Sequence, residues 1–167
     1  THGGSDPGKI STSGVMEKDV NLSIAMALKQ LFENRGFTVV MTRTTDCDLA
    51  PDNSKHPKTD DLTKRTALMS KSNVAVSISI HQNSYHEEAI RGGQVFYYKT
   101  SVRGKKLAES LQKRFDYVLG DSNKRQAKAN DNYYLLLHVK EPIVIAECGF
   151  LSNAKEEALL LTEDYRQ

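Results

Sequence analysis

The sequence contains no tryptophan, and aromatic residues make up only 7% of its 167 residues. This scarcity argues against a stacking platform for single-stranded nucleic acid, and the formal net charge of +2 is too small to indicate nucleic-acid binding by itself. The two cysteines, Cys47 and Cys148, cannot build a disulfide-dense scaffold. No run of about 18 apolar residues occurs, so no membrane span is predicted. The remaining composition, 38% hydrophobic and 26% charged, is typical of a globular chain, and the length predicts a single domain over residues 1–167.

The first half of the chain alternates between helical and strand patterns. Apolar residues at a spacing of about 3.6 predict a helix from Glu17 to Asn34. A β-rich run at 37–41 predicts a short strand, and a helix is predicted from Thr59 to about Ser72. Serines alternate with small and β-branched residues over 74–80, which predicts a strand in the middle of a sheet.

The second half continues the alternation. The predicted elements are a strand at 93–98, a helix marked by Leu107 to Val118 that ends at Gly120, a polar loop at 121–131, strands at 133–137 and 143–146, and a last helix with a capping box formed by Asn153 and Glu156. Strands that alternate with helices predict an α/β fold, a three-layer α/β/α sandwich around a mostly parallel, twisted sheet. In such sheets ligands bind beyond the carboxyl ends of the strands.

Ionisable side chains stand at these predicted strand ends. The strand at 74–80 leads into His81, and the strand at 143–146 leads into Glu147. Two further candidates come early in the chain, since His2 lies in a glycine-rich loop and Glu17 lies in the first turn of the first helix. Two histidines and a glutamate are a recurring ligand set for catalytic zinc, with a fourth position open for water. A further carboxylate can then accept the proton of that water.

Each of these four residues also has an ordinary structural interpretation. His2 could be a plain loop residue, Glu17 could only favour the helix dipole, His81 could be a hydrogen-bonded strand-end histidine, and Glu147 could be an ion-pair partner. The residues alone leave both interpretations open.

Four short motifs, taken in order, resemble the zinc-dependent N-acetylmuramoyl-L-alanine amidases of bacterial cell walls, the Amidase_3 family. They are Thr1-His2-Gly3-Gly4, Glu17-Lys18-Asp19, Ser79-Ile80-His81-Gln82-Asn83 and Glu147-Cys148-Gly149-Phe150, and the segments Met41-Thr42-Arg43 and Leu62-x-x-Arg65 match as well. The resemblance covers nearly the whole chain. It implies a six-stranded sheet whose first strand precedes His2 and is not part of this sequence.

The resemblance implies a role for each of the four residues. His2, Glu17 and His81 would hold one zinc ion, and Glu147 would be the catalytic carboxylate. The substrate would be peptidoglycan, and the bond cleaved would be the amide between the lactyl group of N-acetylmuramic acid and L-alanine.

Three further residues are candidate substrate contacts. Asn83 lies two residues past His81, so the strand period points both side chains the same way, although a structural hydrogen bond explains Asn83 equally well. Arg43 and Arg65 could pair with a substrate carboxylate, but structural ion pairs are the commoner fate of such residues and are favoured here. The long polar loop at 44–58 is a candidate substrate wall.

The resemblance also bears on location, partners and regulation. It implies an extracytoplasmic enzyme of the cell wall or spore envelope, and the segment from Asp48 to Arg65 resembles the spore-cortex branch. The segment between His81 and Gly93 is too short for the inhibitory helix of some family members, so any control would come from elsewhere, such as an activator or regulatory protein. One alternative is a non-catalytic or partner-activated wall-binding module of the same fold. Another is a flavodoxin-like nucleotide binder, which the absence of a G-x-G-x-x-G motif disfavours.

Overall fold

A computed structural model describes residues 2–71, 73–120, 123–140 and 142–166. Within these ranges the chain forms six helices and four strands. They are α1 (Glu17–Glu33), α2 (Pro57–Lys71), β1 (Ser77–Asn83), β2 (Gln94–Tyr98), α3 (Val102–Leu119), β3 (Lys128–Asn130), α4 (Tyr134–His138), β4 (Ile143–Phe150), α5 (Ala154–Leu160) and α6 (Glu163–Arg166). None of the helices in the described ranges combines the length and the apolar composition that crossing a bilayer requires.

The four strands form one sheet in the order β1-β4-β2-β3. β1 pairs with β4 in parallel and β2 pairs with β3 in parallel, whereas β2 and β4 are antiparallel. The fold is therefore a mixed α/β fold with a mostly parallel sheet flanked by helices, which confirms the predicted fold class.

The core lies on both faces of β4, because successive side chains of a strand point to opposite faces. On one face Val144 packs with Val95 and with Ala108 of α3. On the other face Ile143 and Ile145 pack with residues of α4. A strand that is buried on both faces has a continuous run of apolar residues. For this reason the strand at 143–146 could be recognised in the sequence.

The first two predicted strands differ from the structure. Residues 37–41 form no strand, and β1 begins at Ser77 and lies at the edge of the described sheet rather than in its middle. Between residues 37–43 and β1 lies a mainly apolar cleft of about 550 Å³ that is also lined by α1 and α2. Residues 37–41 and β1 thus both line this cleft, and the described sheet contains no pairing between them.

Two further predictions were wrong in the second half of the chain. The run at 133–137, predicted as a strand, contains most of helix α4, in which Leu135 and Leu136 are buried against the sheet. A short apolar run fits both periods, and here packing on the sheet decides for a helix. The predicted polar loop contains β3, whose backbone pairs with β2 although its sequence, Lys128-Ala129-Asn130, lacks β-branched and aromatic residues. Residues 121 and 122 lie outside the described residues.

Helix boundaries shifted by smaller amounts. α2 begins at Pro57, two residues before its predicted start, and Ser72 lies outside the described residues. Asn153 caps α5 through the amides of Lys155 and Glu156, as predicted. The Glu156 side chain does not complete the capping box, because it accepts hydrogen bonds from the amides of Gly92 and Phe150 instead.

Candidate metal centre and active site

The ends of β1 and β4 place His81 and Glu147 side by side. The two residues are register partners in the parallel pair, and both strands continue past the predicted ends, to Asn83 and Phe150. Parallel strands present their carboxyl ends at the same edge of the sheet, so His81 and Glu147 reach one site from two segments that are 66 positions apart.

The loop before α1 brings Glu17 to the same edge. The first amides of α1 bond to carbonyl groups of this loop, from Glu17 to Lys9 at 2.8 Å and from Lys18 to Pro7 at 3.1 Å. These bonds satisfy amides that a helix start leaves without partners, and Met16, at the N-cap, provides no side-chain cap. The loop therefore holds the start of the helix, and with it Glu17, against the strand ends.

His2, Glu17 and His81 converge on one point. Their potential ligand atoms all lie within 4.8 Å of one another. Nε2 of His2 is 3.4 Å from Oε2 of Glu17, and Nδ1 of His81 is 2.9 Å from Oε1 of the same carboxylate. The two imidazole rings stand edge to face with their centroids 5.1 Å apart.

This spacing fits a tetrahedral metal ion. Nitrogen and oxygen ligands about 2.0–2.1 Å from such an ion stand about 3.3 Å apart from one another, which is close to the two contacts to Glu17. Two neutral imidazoles and one carboxylate also match the borderline character of zinc better than the all-oxygen preference of calcium or magnesium. The three side chains can therefore hold a metal ion of this kind.

The electrostatics of the cluster favour deprotonated ligands. Burial alone would raise the pKa of Glu17, but the hydrogen bond and charge of His81, the charge of His2 and the Lys9 amide together lower this pKa to about 2. Burial lowers the pKa of His81 to about 4, against the opposing effect of Glu17. At neutral pH Glu17 is thus an anion and His81 a neutral imidazole, which are the forms that bind metals.

Several polar groups hold Glu17 in place. Its carboxylate accepts hydrogen bonds from the Lys9 amide at 2.9 Å, the Gln82 amide at 3.1 Å and the Asn21 side chain at 3.1 Å. Asn21 in turn accepts a hydrogen bond from the Gln82 side-chain amide at 3.1 Å. Gly8 packs against the same carboxylate. Its φ is +67°, and an added Cβ would stand only 2.5 Å from Oε2 of Glu17, so this position favours glycine.

Glu147 occupies the site differently. The residue is 7% exposed, and its Oε2 has no hydrogen-bond partner among the described residues. Burial, reinforced by the negative charge of Glu17, raises the pKa of Glu147 to about 8. A buried carboxyl group with a pKa near neutrality is suited to accept and release a proton.

A cleft of about 410 Å³ joins these groups. His2, Glu17, His81 and Glu147 all line it, together with Asn83 and Tyr133. Burial and the nearby charge of Glu147 raise the pKa of Tyr133, so that its hydroxyl stays protonated at neutral pH. The cleft therefore combines a potential metal site, a buried carboxyl group and polar groups that can contact a ligand.

The two arginines predicted as possible substrate contacts do not line this cleft. Arg65 has no exposed surface and pairs with Asp61 at 2.7 Å. Arg43 is 8% exposed and donates to the backbone carbonyls of Lys18 and Thr45. These contacts favour the structural interpretation of both residues over substrate binding.

Sequence reasoning did not single out the residues that support the cluster. Asn21 lies four positions after Glu17 on the same helix face, a spacing that could have revealed it. The salt bridge between Lys18 and Asp46, at 2.6 Å, joins the start of α1 to the loop at 44–58. No local sequence pattern indicates a contact between such distant segments.

Comparison with known proteins finds N-acetylmuramoyl-L-alanine amidases that are similar in sequence and fold. The germination-specific N-acetylmuramoyl-L-alanine amidase of Bacillus subtilis (strain 168) is 35% identical over 168 residues, which span 99% of this chain and 70% of that protein. The CwlD amidase from Clostridioides difficile, solved in complex with the GerS lipoprotein, superposes with a TM-score of 0.95 at 36% identity, over 99% of this chain and 86% of that one. The catalytic domain of CwlV, an N-acetylmuramoyl-L-alanine amidase from Bacillus (Paenibacillus) polymyxa, superposes with a TM-score of 0.84 at 29% identity, over 99% and 85% of the two chains. The Amidase_3 family model, described as N-acetylmuramoyl-L-alanine amidase, matches residues 1–167, and the chain therefore belongs to this family of peptidoglycan amidases.

Proposed function

We propose that residues 1–167 form one catalytic domain, a zinc-dependent N-acetylmuramoyl-L-alanine amidase with one zinc ion held by His2, Glu17 and His81. The observation that carries this proposal is the convergence of three metal-binding side chains within 4.8 Å, in a cleft that also contains the buried Glu147. The substrate is the amide between the lactyl group of N-acetylmuramic acid and L-alanine in peptidoglycan, and this assignment rests on family membership.

A zinc ion held by His2, Glu17 and His81 would supply Lewis-acid chemistry, which would lower the pKa of water and polarise the amide carbonyl. Glu147 removes a proton from the attacking water as its oxygen bonds to the lactyl carbonyl carbon. Glu147 then delivers that proton to the alanine nitrogen as the carbon–nitrogen bond breaks. The products are a lactyl carboxylate on the glycan and a stem peptide with a free amino group, so one water is consumed for each bond cleaved.

Burial explains why Glu147 suits this double role. A carboxyl group with a pKa near that of the operating pH can both take up a proton and release it, and removal from solvent supplies the upward shift at Glu147. Its Oε2 lacks a protein partner among the described residues and so remains available to water or to the leaving amine.

We expect the substrate to contact side chains that line the cleft. Asn83 is proposed to hold a peptide or lactyl group, since it lines the cleft beside His81. Lys58 also lines the cleft. Asp46 and Asp48, from the loop predicted as a substrate wall, instead accept hydrogen bonds from the loop that bears His2.

A direct test compares peptidoglycan digests made with the chelator-treated protein and with the same protein after zinc is restored. The proposal predicts that mass spectrometry of the zinc-restored digest finds stem peptides that begin with L-alanine, and that the chelated sample releases none. A protein that binds one zinc ion and hydrolyses no peptidoglycan would support the alternative of a non-catalytic or partner-activated wall-binding module. A protein that binds no zinc would contradict the proposal itself.

We also propose an extracytoplasmic location, at the cell wall or spore envelope, and control by a partner protein. The location is supported by the germination-specific relative of Bacillus subtilis. The partner is supported by the Clostridioides difficile relative, whose structure was solved with a lipoprotein bound. Activity on isolated peptidoglycan with and without candidate lipoproteins would measure how far such a partner is required.

A further inference from the structure

We infer that Asp6 is a positioning residue that fixes the orientation and the tautomer of His2 at the metal site. This inference rests on the proposed function, because it concerns how one of the three proposed zinc ligands is presented. Asp6 also lines the cleft, but the role inferred for it is exerted on His2 and not on the metal itself.

The Asp6 carboxylate is held at both oxygens. Oδ2 lies 2.8 Å from Nδ1 of His2, and Oδ1 accepts a hydrogen bond from the amide of Gly8 at 3.0 Å. The backbone of Asp6 is fixed as well, since Gly3 and Asp6 exchange two amide-to-carbonyl hydrogen bonds of 2.9 and 3.1 Å. A carboxylate anchored in this way can define the position of the ring that it contacts.

The contact to Nδ1 determines which nitrogen faces the metal site. A neutral imidazole carries one N–H, and a carboxylate at Nδ1 places that hydrogen on Nδ1. Nε2 then keeps its lone pair, and Nε2 is the nitrogen that lies 3.4 Å from Oε2 of Glu17. A carboxylate behind a metal-binding histidine also increases the basicity of the ligand, and loss of such a partner commonly costs 10–100-fold in metal affinity.

The backbone conformation of His2 explains why its side chain needs an additional contact. Its φ is +56°, in the left-handed region that side chains other than glycine rarely adopt. His81, by contrast, lies within β1 and is paired in register with Glu147 of β4. A ligand on a strained loop depends on contacts beyond its own backbone to stay in place, and Asp6 supplies one of them.

The test is zinc affinity, measured by competition with a chromogenic chelator, for the wild type and for D6A and D6N. We expect the dissociation constant to rise 10–100-fold in D6A. D6N should show a smaller rise, below about 10-fold, because an amide oxygen still accepts a hydrogen bond from Nδ1. D48N is the matched control, since Asp48 holds the same loop through Ser5 without contacting a ligand, and its dissociation constant should change less than 2-fold.

Two further measurements separate positioning from folding and from the proposed function. Urea unfolding of the metal-free proteins checks that each variant is folded, and nitrogen-15 spectra of the imidazoles in the zinc-loaded wild type should show Nδ1 of His2 protonated and Nε2 bound to metal. Unchanged affinity in D6A, an equal loss in D48N, or ligation through Nδ1 would each overturn the inference. A wild type that binds no zinc would instead overturn the proposed function.

Discussion

The site contains two buried glutamates whose surroundings differ. Glu17, at the start of α1, accepts hydrogen bonds from two backbone amides and one side-chain amide and lies against His81. Glu147, near the end of β4, has an oxygen without a partner among the described residues. Both side chains are almost fully buried, at 4% and 7% exposure, so the difference is in their partners and not in solvent access.

Their pKa values separate accordingly. Burial raises the pKa of either carboxyl group. Hydrogen-bond donors and imidazoles reverse that effect at Glu17, whose pKa falls to about 2, whereas at Glu147 burial dominates, is reinforced by the charge of Glu17 and raises the pKa to about 8. Opposite shifts in neighbouring titratable groups identify which one stays charged and which one exchanges protons. The comparison thus supports the proposed roles, with Glu17 as a ligand and Glu147 as the base, and the same substitution at each residue tests them.

The largest expected effect is the loss of hydrolysis in E147Q. Glutamine cannot take the proton from water, so peptide release from peptidoglycan should fall by about 10²–10⁴-fold, the usual contribution of a general acid–base group. Zinc content, measured by elemental analysis, should stay at one ion per chain. The control is E109Q, because Glu109 is a half-exposed residue of α3, and it should match the wild type. Hydrolysis by E147Q within 10-fold of the wild type would remove Glu147 from its proposed role.

The same substitution at Glu17 should mainly weaken zinc binding. E17Q replaces the anionic ligand by a neutral amide, and we expect the zinc dissociation constant to rise at least 100-fold, beyond the usual cost of losing a partner behind a ligand. H81A should show a comparable loss, because it removes one of the two imidazoles. Chelator competition measures both variants. If E17Q kept the affinity of the wild type while E147Q lost zinc, the two roles would have to be exchanged.

The two variants should also change the stability of the metal-free protein in opposite directions. Glu147 has a raised pKa, so its contribution is complete below pH 4.5 and is lost as the pH rises through about 8. Glu17 has a lowered pKa, so its contribution is present above pH 4.5 and is lost as the pH falls towards about 2. At pH 8 E147Q should therefore be more stable than the wild type, and E17Q less stable, each by a few kcal/mol. At pH 4 the gain in E147Q should have disappeared.

Urea unfolding in the presence of a chelator, at pH 4, 6 and 8, gives these free energies of unfolding. A parallel shift of E147Q at all three pH values would mean that packing, and not the buried charge, causes its effect. Such a result would leave the pKa contrast between the two glutamates without experimental support.

The sequence predicted the strand ends of this site better than it predicted the convergence of its ligands. The apolar runs before His81 and Glu147 identified two strands, and a parallel sheet brings their ends together. The interpretation of His2 and Glu17 stayed open because their position depends on the loop before α1. The Lys9 and Pro7 carbonyls of this loop accept hydrogen bonds from the first amides of α1, and its Gly4 and Ser5 amides donate to the distant Asp46 and Asp48. Contacts of this kind connect segments that no periodic pattern links, and the resemblance to a family supplied what periodicity could not.

The errors in the fold have a similar origin. The apolar run at 133–137 fits a strand or a helix, and only its packing on Ile143 and Ile145 makes it helical. β3 was missed because it pairs with β2 through backbone groups and its three residues include no β-branched or aromatic side chain that would predict a strand. The roles of His2, Glu17, His81 and Glu147 remain predictions, which the variants described above test.

The smallest effect is expected one step away from the ligand, at Asn21. N21A removes a donor to Glu17 and leaves the buried Gln82 side-chain amide without its acceptor. An unsatisfied buried group costs about 1–3 kcal/mol, and we expect the free energy of unfolding of the metal-free protein to fall by that amount. Zinc affinity should fall only about 10-fold, because the Lys9 and Gln82 amides still hold the carboxylate. In the double variant N21A/Q82A the loss of stability should be less than the sum of the two single losses, since one hydrogen bond is shared. Strictly additive losses would show that Asn21 and Gln82 do not act on Glu17 as a connected pair.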